Sequence, residues 1–501
     1  MSLGGLIAKV LGALYRIPLT NVIGSYGMGL YQLVFPAYIL FLTMSQAGVP
    51  VALSKLIAEN KQLGREDHAR KIFRFCFWTL LATGALGAGL LAALSQVISR
   101  AQGNPDTASA FLLIAPALLF IPVTNVLKGY FQGNMNMLPS SVTTVVEQVV
   151  KLAVGLFLAV RLMPDVLAAV RGATFAITVS EFTSLLIMTS VYAVHRRKDK
   201  FRLSFEKGEV KNIASEVFAL CVPVALGAFV MQISQVVDSV MVVNLLSADN
   251  ATSLYGLWTG PVNSMLGLPI AVSSGVAVSA LPSITKTFAD GDSEKLNKAY
   301  NSAMKLTLII TLPTSLGLIV MSRPIISLLY GGLTAEEIQI SATLLSFSGI
   351  SVVFLSVAQT SVSVLQAVGK PYVSVVVLAL AVVVKAVVNV VLLPLPQINI
   401  YGAAISETMC YLFATIGVII YSSTKLKLKV SVGDCLLKPL SCSLVMTLVL
   451  TVLTAFAKDF VSSAVGTIVS IVGAGAVYFA AVLIMKVFDS SELRLLPVKL
   501  G

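Results

Sequence analysis

Residues 140–160 read SSVTTVVEQVVKLAVGLFLAV. The run is long enough to cross a hydrocarbon core as one helix, yet Glu147 and Lys151 sit inside it. A charge at the centre of a membrane helix costs about 2.5 to 3.5 kcal/mol on insertion scales, so such groups face a cavity or a partner. Glu147 precedes Lys151 by four residues, the favourable order for an ion pair on one helix face. Either the pair neutralises itself so that the helix inserts, or Lys151 serves a ligand. Downstream, LALAVVVKAVVNVVLLP at 378–394 places Lys385 at a similar depth, with Asn389 one turn further on.

The composition agrees with this reading. Of 501 residues, 57% are hydrophobic and only 12% charged, against about 25% charged in soluble domains. The expected fold class is an all-α polytopic membrane protein of about fourteen transmembrane helices. The first apolar run, from Leu3, has no basic leader or small-residue cleavage pattern and reads as a retained helix. Cys76, Cys221, Cys410, Cys435 and Cys442 show no paired spacing, and His68 and His195 lie in loops. No disulfide framework, metal site or other cofactor is indicated.

The net charge of +12 is explained by topology rather than by nucleic acid. The spans are expected near 3–24, 29–54, 75–99, 108–127, 140–160, 172–194, 213–245, 254–284, 306–322, 340–366, 371–394, 400–423, 439–457 and 460–485. The loops on one side then hold only Arg100, Arg161, Arg171, Arg323 and Lys458, and Lys9, Arg16, Lys151 and Lys385 fall inside spans. The remaining Lys and Arg of the 35 lie on the other side. That asymmetry puts both termini of a multi-pass cell-membrane protein in the cytoplasm. The expected organisation is a six-helix bundle over 1–194, a basic cytoplasmic linker over 195–212, a second six-helix bundle over 213–424, and helices 13 and 14 with a tail over 425–501.

Other spans carry polar groups too. In the first, Lys9 and Arg16 are two turns apart on one face. Lys9 either snorkels to the cytoplasmic edge or joins Arg16 in a cavity, and Pro18 should bend the helix. SYGMGLY should form a tight turn before the second span, and Lys128 is expected at the membrane interface. Glu181 lies in the sixth span, facing a cavity or a polar neighbour. In the seventh, Gln232, Gln235 and Asp238 are spaced by three as one polar stripe, a pattern of pathway linings.

The chain also repeats itself. Gly48, Val49, Val51, Ile57 and Gly64 recur, ungapped, as Gly275, Val276, Val278, Ile284 and Gly291, and Gln132 and Lys151 recur at one common offset as Gln366 and Lys385. Six spans precede the linker, an even number, so the two copies enter the membrane from the same side as parallel repeats.

AKVLGALYRIPLTNVIGSYGMGLYQ (8–32), SQAGVPVALSKLIAE (45–59), LQAVGKPY (365–372) and VVKAVVNVVLL (383–393) resemble the MurJ-type lipid II flippases, on the branch with stage V sporulation protein B, within the multidrug/oligosaccharidyl-lipid/polysaccharide exporter superfamily. The resemblance covers almost the whole chain and implies six plus six plus two helices. It implies a lipid-linked substrate, undecaprenyl-pyrophosphate bearing a saccharide, moved from the inner to the outer leaflet for peptidoglycan synthesis, cell shape or sporulation. Lys9 and Arg16 fall where that family has cavity arginines. Its arginine pair at the end of helix 2 is absent, with no cation until Lys55, and so is its helix 8 arginine. The implied headgroup set is therefore Lys9, Arg16, Lys55, Glu147 and Lys151, with Lys151 supplying part of the missing charge. Some similar proteins bind sodium between helices 7 and 11, at positions matching Asp238, Lys385 and Asn389. A lysine there implies a Lys385 to Asp238 salt bridge and no sodium requirement, with Gln235 and Glu181 as further coupling residues.

A pyrophosphate crossing a low-dielectric region needs fixed cations in place of water. The expected protein is thus a non-enzymatic, monomeric flippase working by alternating access, in contact with the lipid headgroup and membrane lipids and not with nucleic acid. The alternatives are an exporter of another lipid-linked repeat unit, a multidrug or cation antiporter of the same fold, a membrane glycosyltransferase, and a purely structural membrane partner.

Overall fold

The computed structural model describes residues 3–46, 48–196, 208–246 and 250–487. The Lys9 side chain and most of the linker expected over 195–212 lie outside the described residues. Among the described residues the chain is helical, with no strand. Among the described residues the spans expected from the sequence fall largely on helix, with breaks inside some of them, at Ala115–Pro116, Met321 and Ile350. Eleven helices are long and apolar enough to cross a membrane, or twelve if Ala335–Gly349 and Ser351–Ala367 form one bent span. The chain divides into two compact units, Ser2–Gly256 and Leu257–Gly501.

The first unit contains α1 (Leu3–Gln46), α2 (Val49–Gln62), α3 (Glu66–Ala101), α4 (Ala108–Ile114), α5 (Ala117–Gly133), α6 (Leu138–Leu162), α7 (Val166–Arg196), α8 (Glu209–Leu245) and nearly all of α9 (Ala251–Leu257). Helix α8, assigned from the sequence to the second bundle, is in this unit. The sharp change in α1 comes not at Pro18, which stays inside the helix, nor as a free turn over SYGMGLY. It is a kink at Gly24 (φ 68, ψ −174). Proline removes one N–H and leaves its own φ helical, whereas only glycine enters the positive-φ region without steric cost. One core gathers Tyr15, Leu19, Tyr31, Phe111, Ile114 and Val170. A second joins Leu53, Ile57, Ile72, Phe73, Met188 and Val217.

The second unit contains α10 (Asn263–Ala289), α11 (Ser293–Val320), α12 (Ser322–Leu329), α13 (Ala335–Gly349), α14 (Ser351–Ala367), α15 (Pro371–Leu392), α16 (Tyr401–Lys425), α17 (Lys438–Phe456), α18 (Lys458–Ser462) and α19 (Ala464–Ile484). Its core includes Ile284, Tyr300, Met304, Val353, Val357 and Leu428. Small hydroxyls bind helices together, Ser273 to Ser356 and Thr307 to Thr360, each pair at 2.8 Å, as expected where lipid leaves little hydrophobic drive for helix association. Helix α15 has two faces. Val376, Leu380, Val383, Val387 and Val390 are exposed, while Ala381, Lys385 and Asn389 are buried. Lys385 therefore points into protein, which excludes outward snorkelling.

The repeated residues end their helices in the same way. Gly64 and Gly291 both have φ 70, and their N–H groups donate to Lys61 and Phe288 carbonyls at 3.1 Å. Met135 (φ 60) and Gly369 (φ 74) donate to Gln132 and Gln366 carbonyls at 2.9 and 3.1 Å. The next N–H groups reach back to Phe131 and Leu365 at 2.9 and 2.8 Å. The pair of bonds is a Schellman cap in both copies. It fixes where the next helix begins, and hence the depths of Lys151 and Lys385.

Candidate functional site

Three helix crossings set the site in the first unit. Helix α6 lies so close to α1 that a Cβ on Gly12 would stand 3.3 Å from Gln148 Oε1. One on Gly155 would strike the Tyr15 hydroxyl. Glycine at these points brings Arg16 of α1 beside Lys151 of α6. Helices α5 and α7 close the other sides.

Glu147 is the hub. Lys128 Nζ of α5 donates to its Oε2 at 3.5 Å, and the two side chains are only 14% and 15% exposed. Ser184 Oγ of α7 donates to Oε2 at 3.4 Å, and Gln148 Nε2 to Oε1 at 3.0 Å. Glu181, also on α7, is one turn before Ser184 and among the electrostatic neighbours of Glu147. Lys151 is within direct charge range of Glu147, Glu181 and Arg16. The buried phenol of Tyr38, on α1, has both glutamates among its electrostatic neighbours. Arg16 continues the group toward Tyr31, and an edge-on ladder runs from Tyr15 through Tyr31 and Phe35 to Tyr38 with ring centroids 6.5, 4.9 and 6.4 Å apart.

The structure thus gathers Arg16, Glu147, Lys151 and Glu181 and adds Lys128, Tyr38 and Ser184, which the sequence did not single out. Lys128, expected at the membrane interface, reaches inward to Glu147 instead. Its signal was a lone lysine at the end of an apolar run. Lys55 projects from the exposed face of α2 beside Val51 and Glu59.

On α8 the expected stripe divides. Asp238 is buried, with Tyr255 among its electrostatic neighbours, whereas Gln235 is exposed and Gln232 keeps Oε1 out of solvent. Steps of three on a helix of 3.6 residues per turn drift by about 60° each, so a run of three does not share one face. Beside Asp238, Ser239 accepts from Gln102 Nε2 at 3.0 Å, and Gln102 also donates to the Leu33 carbonyl at 2.9 Å, tying α1 and α8 to the end of α3.

In the second unit Lys385 is 6% and Asn389 1% exposed. Lys385 Nζ stands 5.8 Å from the centroid of Trp258, within cation–π range. Helix α16 runs antiparallel to α15, with Gly402 against Leu392 and Gly417 against Val377. That register sets Lys385 level with Met409 and within a turn of Glu407, whose Oε1 accepts from Tyr411 Oη at 3.0 Å. Glu407 is an acid inside an apolar run that the sequence reading passed over. Among the described residues no group of three His, Cys, Asp or Glu side chains is placed to hold a metal.

A helical membrane protein that sinks cations and carboxyls between the helices of a bundle, away from lipid, has the constitution of a transporter. The polysaccharide biosynthesis protein family model matches residues 1–288, and the chain belongs to that family. The MatE model matches 223–391. The lipid II flippase MurJ of Bacillus subtilis (strain 168) is 25% identical over 434 residues, covering 82% of this chain and 79% of that protein. Stage V sporulation protein B of the same organism is 24% identical over 515 residues, 99% and 96% of the two chains. The solved lipid II flippase MurJ in an inward closed conformation superposes with a TM-score of 0.73 at 19% identity, over 96% of this chain and 98% of that one. The chain is a member of the multidrug/oligosaccharidyl-lipid/polysaccharide exporter superfamily, on the branch of MurJ and stage V sporulation protein B, and so a flippase or transporter of the membrane.

Proposed function

We propose that this protein flips a lipid-linked saccharide on an undecaprenyl-pyrophosphate carrier, lipid II, from the inner to the outer leaflet of the cell membrane by alternating access. The observation that carries the reading is the gathering of Arg16, Lys128 and Lys151, from α1, α5 and α6, round one part of the first unit. Glu147 and Glu181 offset at most two of these charges, which leaves the lining with a positive surplus. A pyrophosphate answers that surplus with charge-assisted bonds. Lys9 and Lys55 belong to the proposed headgroup set on the strength of the resemblance, Lys55 from the exposed face of α2. The lipid tail stays in the bilayer beside helices 13 and 14 while the repeats, bounded near 195–212, rock about the headgroup as a monomer with both termini cytoplasmic.

Lys385, flanked by Asn389, takes the place of a coupling sodium, so transport proceeds without sodium. The membrane potential, worth about 2.3 kcal/mol per charge per 100 mV, returns the emptied cationic site inward. The modest identity to MurJ leaves another lipid-linked repeat unit as the alternative substrate, and the matched MatE segment keeps cation export as a second reading.

The test is depletion in a host stripped of other flippases, scoring the leaflet on which lipid II accumulates. Complementation by wild type and failure by Lys151→Glu and Arg16→Glu, at equal membrane levels, is the expected result. Rescue by both charge reversals would overturn the reading. Efflux of a cationic dye that survives those reversals would favour the cation exporter.

A further inference from the structure

Five polar side chains outside the Glu147 cluster, Lys61, Glu66, Arg70, Tyr130 and His195, line one cavity of about 450 Å³ in the first unit. It lies where α2 ends, α3 begins and α5 and α7 finish, and Ile57 and Val194 add apolar wall. Packing fixes these four helix ends. A Cβ on Gly133 of α5 would stand 2.7 Å from Ile57 Cβ and 2.8 Å from the Ser54 carbonyl of α2, so those two helices touch. Tyr130 packs against Phe73 of α3 and Tyr192 of α7, with ring centroids 4.9 and 5.3 Å apart, and the His195 ring lies 5.6 Å from that of Phe131. The cavity is the space left between them, and its volume falls in the range of small-molecule sites, about 300 to 1,000 Å³.

Its chemistry is cationic. Arg70 Nη2 donates to Glu66 Oε2 at 3.5 Å, a long bond that engages one corner of the guanidinium. Lys61 and Arg70 against Glu66 leave one positive unit on the wall, and the imidazole of His195 offers a donor in either protonation state. Apolar side chains are exposed around it: Val194 is 66% exposed, Leu63, two residues from Lys61, 58%, and Met135, in the turn after α5, 83%. Water gives no return for such exposure, whereas the boundary between lipid headgroups and acyl chains accepts basic and apolar side chains together.

We propose that this cavity binds the headgroup of an anionic phospholipid, with Arg70 and Lys61 on the phosphodiester, His195 as a further donor, and the acyl side leaving past Val194. A phosphodiester carries one negative charge, the complement of the surplus on the wall, and the planar fork of Arg70 matches two of its oxygens. Basic pockets between membrane helices are a recurring form of such sites. A soluble phosphate ester shares the phosphate chemistry but gives no reason for exposed Leu63 and Val194. The cations come from α2 and α3 and the imidazole from α7, so an occupied site ties three helix ends together. None of the lining residues belongs to the Glu147 cluster, so lipid bound there is independent of what the protein flips.

The test is native mass spectrometry of the purified full-length protein in neutral detergent with added phosphatidylglycerol. Wild type should retain it in preference to zwitterionic phosphatidylcholine. Lys61→Gln together with Arg70→Gln should weaken retention, about fivefold for each cation removed and about thirtyfold for the two. Lys298→Gln, an exposed lysine of α11 in the second unit, should leave it unchanged. Equal retention of the two lipids by wild type, equal retention of phosphatidylglycerol by wild type and the double variant, or as large a loss in Lys298→Gln overturns the site. If the double variant fails to fold, Lys61→Gln alone decides, since that side chain is exposed and its loss leaves the packing intact. Inorganic phosphate that displaces phosphatidylglycerol at equal concentration would give the cavity to a soluble anion and overturn the lipid.

Discussion

Gly29 of α1 and Gly256 of α9 show how single residues set this architecture. A Cβ on Gly29 would run into the carbonyl of Thr252, and one on Gly256 into the carbonyl of Ser25 and the backbone of Gly29. The two backbones touch because neither has a side chain, the small-residue contact favoured in membranes. Overpacking a tight site costs about 1 to 3 kcal/mol, so Gly29→Val should lower the thermal midpoint in detergent and the folded yield. Gly89→Val, at a position with nothing within 4 Å of the added carbon, should change neither. Equal behaviour of the two would mean that the crossing is not tight. The same scale explains which site residues were legible. Glu147, Lys151, Arg16 and Glu181 stood out because a charge in an apolar run needs a reason. Lys128 stood at the end of such a run and looked like an anchor; only the direction of its side chain reveals the partner.

Between elements, the N-terminal parts of α3 and α8 are joined by an ion pair and a histidine–carboxylate contact. Lys71 Nζ meets both oxygens of Glu209 at 2.6 and 2.8 Å, with the side chains 17% and 22% exposed. His68 Nε2 lies 3.1 Å from Glu216 Oε2. Sheltered from solvent, the Lys71–Glu209 pair should be worth more than the Lys298–Glu294 pair within α11, where both side chains are at least 74% exposed. A double-mutant cycle with Lys71→Ala and Glu209→Ala should give about 1 kcal/mol of coupling, and the Lys298–Glu294 cycle a few tenths. Equal couplings would deny that α3 and α8 are clasped there. The helices themselves were readable from apolar runs and loop charge. Their irregularities were less so: the kink at Gly24, the gap between α4 and α5 at Ala115 and Pro116, and the widened turn at Trp258–Val262 depend on what each helix packs against. Pro18, the strongest local signal for a bend, is absorbed within α1.

Across the whole molecule, topology is the claim that charge placement makes most directly. All five cysteines are buried and unpaired, so an introduced surface cysteine should report without a cysteine-free background. Asp165→Cys and Gln397→Cys should react with a membrane-impermeant maleimide added to intact cells, and Glu294→Cys only after lysis; the reverse pattern would invert the proposed orientation. The membrane class, the helical fold, the approximate spans and the basic asymmetry were determined by the sequence alone, because hydropathy and charge act locally and need no partner. The repeat was legible in part: Gly64 and Gly291, one recurring pair, end their helices with the same φ, whereas Gly48 precedes α2 at φ 76 and its counterpart Gly275 lies within α10. Tertiary structure decided which charges meet. Glu147 finds Lys128 and Ser184 from two other helices, Lys385 turns to Trp258 rather than to lipid, and the Gln232, Gln235 and Asp238 stripe divides between exposed and buried surface. A span can be recognised by its own residues, whereas the partner of a buried charge depends on how neighbouring helices are rotated and how deeply they are set, which only packing specifies.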